Sequence, residues 1–426
     1  MNSSAKSISE FSMPTKVSEA ECVGAISIAL IIIGIVITVP AFLVGSQILR
    51  SLGLMNGSLA LVISCVIIAA LSSLCMRLAS KYHISTYQLS QSSFGIYGSR
   101  MVSALIATTL LGWFAMTANL FGAASLGLSQ KFKWGLPIEA LIIAGCTLVI
   151  LTVIFGFRAL EKFSRFATPL LVALLAAGII LVLRKHGVAS LIDAKPTHLP
   201  GMATMGSAIS VVIGAFMVAV TISPDFARFA KSPSDGVRAA WLGYGIGGSC
   251  VLIGAGLPGL AIGSDDLIGS FAATGLGLGA FILLLVATWT TNAGNLYSTR
   301  LAGSQVFPRI KPITLCIILG VIGTSSALWL DLSYFGKFLQ FLAISIPPIA
   351  GIYLCDGYAL GKDFNIETTK KYDMSGIFAW LSGTCVALLV TIGPLGFLSI
   401  PALTGLVVAF MSKWALSEKT SHKEKL

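Results

Sequence analysis

The sequence predicts an all-α polytopic membrane protein of about twelve transmembrane helices, and three observations predict it. Of its 426 residues, 56% are hydrophobic and only 11% charged, whereas a soluble domain is about 25% charged. Twelve apolar runs reach or approach the roughly 20 residues that a helix needs to cross hydrocarbon, without the two-residue alternation of barrel strands. Lys and Arg, finally, are unevenly shared between alternate connecting segments. Together these exclude a soluble enzyme, a nucleic-acid-binding module and a disordered scaffold.

The runs cover 22–44, 58–76, 102–127, 138–157, 166–183, 204–222, 239–262, 277–297, 312–330, 335–359, 375–396 and 398–412, here spans 1 to 12. The last two are separated only by Pro394 and Gly396, which mark a turn or a kink. Counted from a cytoplasmic N-terminus, the inner segments hold 21 of the 28 basic residues and the outer ones 7. The positive-inside rule then places both termini in the cytoplasm and the chain in the cell's inner (cytoplasmic) membrane. The net charge of +11 therefore reads as topology, and nucleic acid drops out as a partner. Residues 1–21 form a polar tail with no signal peptide, 22–412 the membrane domain, and 413–426 a second cytoplasmic tail. The eight cysteines are scattered through apolar stretches, which suits packing and predicts neither disulfide nor metal site.

Ionisable groups are nearly absent from the spans. His83, His186, His198 and His422 lie outside them, and only Glu139 and Asp356, near span ends, bring a carboxylate in. Proton-driven carriers hold an ionisable residue at depth, so proton coupling is disfavoured. No HExxH, GxSxG or paired intramembrane aspartates are present, which excludes a membrane-embedded enzyme. Hydroxyls, amides, rings and backbone carbonyls remain, a chemistry of binding and release that also suits Na⁺.

Such groups concentrate in span 8, Ala287-Thr288-Trp289-Thr290-Thr291-Asn292-Ala293-Gly294-Asn295. One intramembrane Thr is ordinarily an inter-helix hydrogen bond; hydroxyls or amides at 288 and 290–292 together point to an ion or substrate site. Spans 1 and 6 carry helix breakers, Gly34 and Pro40 in the first, Gly214 and Pro224 in or just after the second. Ordinary kinks are common in membrane helices, but interruptions at matching positions of two five-helix repeats mark a binding site between them. Trp113 in the middle of span 3 and Phe216 in span 6 could clamp a flat heterocycle between two rings.

Several strings resemble the nucleobase:cation symporter-1 family, in its cytosine-permease branch: SSFGIYGS (92–99), LGWFA (111–115), GAF and DFARF (214–216, 225–229), WTTN with LY (289–297), ALWL (327–330) and IPPIAG (346–351). They follow the family's order from span 2 to span 10. The resemblance implies the LeuT-type fold, with repeat 1 over about 22–183, repeat 2 over about 204–359, and two peripheral helices over about 375–412. It implies Na⁺-coupled uptake of a nucleobase-like heterocycle by alternating access. A Na⁺ site would use carbonyls of Gly34, Ile37 and Ala287 with the hydroxyls of Thr290 and Thr291. The substrate would meet Trp113, Phe216, Leu110, Ala215, Thr117 and Asn292.

Four positions depart from the family pattern. Leu110 replaces a Gln, Ala215 a Ser, Ala287 an Asn and Gln91 an Arg. Losing polar contacts usually changes the accepted substrate, so cytosine itself is not assigned; hydroxymethylpyrimidine, hydantoin or allantoin, and amino acids are the same-fold alternatives. An amino-acid carrier would need donors for a carboxylate at a Gly-rich break, and span 1 has a single Gly there. A non-transporting receptor would carry a larger soluble domain than these tails. A monomer is the functional unit expected, with no oligomeric state assigned.

Overall fold

The computed structural model describes residues 17–131, 133–264, 275–276, 278–330, 334–364, 370–393 and 400–423. Every pass is a helix, as hydrocarbon requires of a backbone that cannot bond to water. Among the described residues, eight helices are long and apolar enough to cross a membrane, with Ala25–Val36, Ile138–Val153 and Pro401–Ser417 as shorter apolar helices. Span 8, Leu278–Val306, has the length too, its polar cluster diluting an otherwise apolar run.

Span 1 is split. Ala25–Val36 ends at Ile37 (φ −72°, ψ 88°), Thr38 is extended (φ −143°, ψ 154°), and a new helix starts at Val39. Pro40 accounts for the break, because its ring offers no N–H to the Val36 carbonyl and crowds it. Gly34 is helical, three residues upstream of the position where the chain opens. The new helix does not end in the loop expected over 45–57. Val39–Tyr82 is one stretch that turns at Gly53 (φ 80°), and a Cβ on Gly57 would lie 3.0 Å from Leu49 Cα, so span 2 folds back directly on span 1.

Span 3 belongs to Thr86–Lys131, which bends at Gly95 (φ 80°). A Cβ there would sit 2.8 Å from Tyr372 Cα and 2.9 Å from Lys370 O, so only glycine fits. The segment before span 11 is hydrogen-bonded across this bend: Ile96 N to Lys370 O at 3.0 Å, Tyr97 N to Lys371 O at 2.9 Å and Asp373 N to Phe94 O at 2.8 Å.

Spans 4 and 5 are Ile138–Val153 and Phe157–His186. Span 6, Met205–Ile222, is unbroken at Gly214; its irregularity falls at Ser223, after which Pro224–Ala227 continues the helix. A glycine alone loosens a helix without ending it, whereas Pro224 removes a donor. Span 7 covers Pro233–Ile262 with a π-helical turn at Trp241–Gly247, and span 9 is Pro312–Trp329. Span 10 breaks at Ile346, before the Pro347-Pro348 pair, into Phe335–Ser345 and Pro347–Leu354. Spans 11 and 12 are Met374–Ile392 and Pro401–Lys423; Pro394 and Gly396 lie outside the described residues.

Span 8 packs along span 3, span 7 along the Val39–Tyr82 helix, and span 12 against span 11 and the second half of span 10. Hydropathy misplaces several buried charges, Asp225 and Lys413 among them. Asp225, placed by hydropathy in a loop, is completely buried in the helical continuation of span 6, so a carboxylate does enter the interior. Lys413, expected to open a solvated tail, is 2% exposed inside the last helix. Its Nζ lies 3.6 Å from Asp356 and 3.5 Å from Asp373, carboxylates far away in sequence.

Candidate functional site

The break in span 1 leaves carbonyls without helical partners, and span 8 brings hydroxyls to them. Thr290 Oγ1 is 2.8 Å from Gly34 O, 2.9 Å from Ala287 O and 3.1 Å from Val286 O. A hydroxyl has one proton to donate, so this cluster holds more acceptors than protons. Beside it Thr291 Oγ1 donates to Ile35 O at 3.2 Å. The chain thus brings Gly34, Ala287 and Thr290 together, with Thr291 one position on. Ile37 is buried at the break itself, its N–H spent on Ile33 O at 2.9 Å. Among the described residues no three His, Cys, Asp or Glu side chains gather as metal ligands, so any cation here meets neutral oxygen.

Next to this cluster lies a cavity of about 70 Å³ whose lining includes Trp113, Phe216, Leu110, Ala215, Thr38 and Thr291. The interrupted or kinked spans 1 and 6 line it together with spans 3, 7, 8 and 10. Trp113 also makes an edge contact with Phe338 of span 10, centroids 5.8 Å apart. No Asp, Glu, Lys, Arg or His is among the lining residues.

Thr117 and Asn292 do not border this cavity. Thr117 Oγ1 donates to Asn292 Oδ1 and lies 2.7 Å from Trp113 O, while Asn292 Nδ2 donates to Phe114 O at 3.2 Å. They fasten span 3 to span 8. Conversely, Thr38 and Asn295 line the cavity and sequence reasoning passed over both. The signal was available: Thr38 lies two residues before the breaking Pro40, and Asn295 one helical turn beyond Thr291.

A larger recess of about 520 Å³ shares Val44, Ala215 and Leu339 with the cavity and extends to Gln47, Gln340 and Thr391. These residues lie at the end of the bundle opposite the chain termini. At the terminal end Val17 N donates to His83 O at 3.3 Å and Lys231 N to Val23 O at 3.2 Å.

An interrupted first helix, a polar eighth and a central cavity between two five-helix repeats define a transporter of the LeuT-type fold. The chain matches, over residues 16–375, the family described as permease for cytosine/purines, uracil, thiamine, allantoin, and it belongs to that family. It is a multi-pass membrane permease and not an enzyme. It is 28% identical over 372 residues to the cytosine permease of Escherichia coli strain K12, covering 87% of this chain and 85% of the relative. It is 27% identical over 430 residues to the hydantoin permease of Microbacterium maritypicum, covering 93% of this chain and 86% of the relative. Its fold is similar to that of Mhp1, a nucleobase-cation-symport-1 family transporter, in a closed conformation with bromovinylhydantoin bound. That likeness has a TM-score of 0.84 at 20% identity and covers 97% of this chain and 96% of the other.

Proposed function

We propose that this permease is a Na⁺ symporter that takes up a neutral, nucleobase-like heterocycle. The observation that carries the reading is the position of Thr291. It lines the ring-walled cavity and bonds the Ile35 carbonyl at the opened helix, next to the acceptor-rich cluster at Thr290. A cation held by Gly34, Ile37, Ala287, Thr290 and Thr291 would draw span 1 onto span 8 and so shape the cavity wall. Substrate and ion would then favour the same arrangement, which is what coupling requires. Trp113 and Phe216 clamp the ring, and Leu110 and Ala215 border it. Thr117 and Asn292 hold span 3 to span 8.

The lysine and arginine distribution favours cytoplasmic termini in the inner membrane. The 520 Å³ recess is then the external entrance, and one repeat-derived bundle rocks against the other around the central site. A hydantoin-like ring is the second reading for the substrate, favoured by the apolar Leu110 and Ala215 where cytosine permeases carry polar side chains. The test is uptake of labelled cytosine, uracil and hydantoin by proteoliposomes with and without an inward Na⁺ gradient. Saturable uptake of one ring, stimulated by Na⁺ and not by a matched K⁺ gradient, is expected. Uptake indifferent to Na⁺ overturns the coupling, and no uptake of any ring overturns the substrate class.

A further inference from the structure

The cavity walls are almost wholly apolar, so the few polar groups that face it decide which ring edge is accepted. Four lining residues besides Trp113 have polar side chains: Thr38, Thr291, Tyr244 and Asn295. Two are committed elsewhere. Thr291 donates to Ile35 O at 3.2 Å, and Tyr244 donates to Ala219 O at 3.4 Å.

Thr38 is different. It occupies the N-cap of the helix that starts at Val39, where a Thr hydroxyl ordinarily accepts from the first turn, yet it makes no such bond. Its Oγ1 is buried with no hydrogen-bond partner, and the residue is 8% exposed. A buried hydroxyl without a partner costs free energy, and the cavity it lines is where a partner can sit.

Asn295 is the second such group. Its Nδ2 reaches Asn292 Oδ1 only at 3.5 Å, the edge of hydrogen-bonding distance. Among the described residues nothing donates to its side-chain carbonyl. A carboxamide presents a donor and an acceptor side by side, and a planar ring with an adjacent N–H and C=O matches both.

We infer that Thr38 and Asn295 read the polar edge of the substrate, in place of the side chains missing at Leu110 and Ala215, and select a neutral ring bearing adjacent hydrogen-bond donor and acceptor. The inference rests on the proposed transport of such a ring. Thr38 lies at the break in span 1 and Asn295 on span 8. A ring bonded to both bridges the two elements that the cation cluster also joins.

Binding of cytosine, uracil and hydantoin to the purified full-length protein in Na⁺, followed by ligand-induced thermal shift, tests this against Thr38→Val, Thr38→Ser and Asn295→Leu. For whichever ring the wild type binds, Thr38→Val and Asn295→Leu should each weaken affinity about tenfold, the worth of one lost neutral hydrogen bond in a dry site. Thr38→Ser, which keeps the hydroxyl, should recover most of it. Equal affinity in all variants overturns the assignment while leaving the transport reading intact. A loss in Thr38→Ser as large as in Thr38→Val assigns the effect to packing and also overturns it. If the wild type binds none of the rings, the reading on which the inference rests falls first and takes it along.

Discussion

The Arg228 guanidinium donates through Nη2 to the Tyr297 hydroxyl at 2.8 Å, and this bond ties the end of span 6 to span 8. Around it Phe229 stacks on Phe157 with centroids 3.6 Å apart, Thr86 N donates to Asp225 Oδ1 at 3.0 Å and Tyr87 OH donates to Ser298 O at 2.9 Å. Spans 3, 5, 6 and 8 therefore converge in one buried polar-aromatic layer below the cavity, at the end where the termini lie. In a carrier that alternates, this layer has to come apart each time that end opens.

Tyr297→Phe removes the acceptor and leaves a buried guanidinium short of a partner, its Nε already lacking one. The closed arrangement should lose about 1–3 kcal/mol. Cys22, at the same end and 3.7 Å from His83 Nδ1, reports the change. Its thiol is half-buried, so it labels slowly. Faster maleimide labelling of Cys22 in Tyr297→Phe is expected; an unchanged rate would mean the bond does not hold the end shut.

Trp113→Ala should abolish saturable ring uptake while leaving the amount of protein in the membrane unchanged. The indole contributes both a stacking face, worth about 0.5–1.5 kcal/mol beyond buried area, and the edge contact with Phe338. Uptake with a wild-type half-saturation concentration would remove the ring clamp.

Thr290→Val keeps the volume and deletes the hydroxyl around which three carbonyls gather. The Na⁺ concentration for half-maximal uptake should rise about tenfold or more. Titrating Na⁺ at saturating ring concentration measures this, and an identical Na⁺ curve would move the ion elsewhere.

Lys413→Gln removes the buried cation shared by Asp356 and Asp373, leaving Asp356 with Lys362 at 3.6 Å. Removing one partner of a buried pair costs about 3–5 kcal/mol, so a clear fall in melting temperature at neutral pH is expected. Burial of Asp373 by itself would raise its carboxyl, but Lys413, Ser375, Lys370 and Lys362 outweigh that and hold it below the ordinary 3.8. A depressed folded value contributes stability above the unfolded value, and that contribution is lost as pH falls through the folded one. Thermal stability of the wild type should therefore hold from neutrality to about pH 4 and decline below it. The variant should show a shallower decline, and parallel pH profiles would refute the pairing.

Much of the architecture was legible because hydropathy reports side chains one at a time, and most spans are apolar throughout. The acceptor cluster was legible too, since Thr290 and Thr291 follow one another in a helix otherwise rich in apolar residues. What escaped depends on partners far away in sequence. Lys413 looks like a tail residue until Asp356 and Asp373 are beside it. Asp225 looks like a loop residue until the backbone of Thr86 meets it. Thr117 and Asn292 attract notice as polar groups near the site, but each satisfies the other. Thr38 was overlooked for the opposite reason, as a residue whose usual duty at a helix start is left undone. The break in span 1 was anticipated from Gly34 and Pro40, and only proline has the stereochemistry to impose it.

The bend at Gly95 has a practical corollary for anyone wishing to watch this protein move. Its backbone is stitched to residues 370–373, and Lys413 is clamped to Asp373 at 3.5 Å. The last two helices are thereby anchored to span 3 and share its frame of reference. A fluorophore or spin label on span 12 close to Lys413 would serve as a landmark, and a second label on span 1 or span 6 would register the displacement.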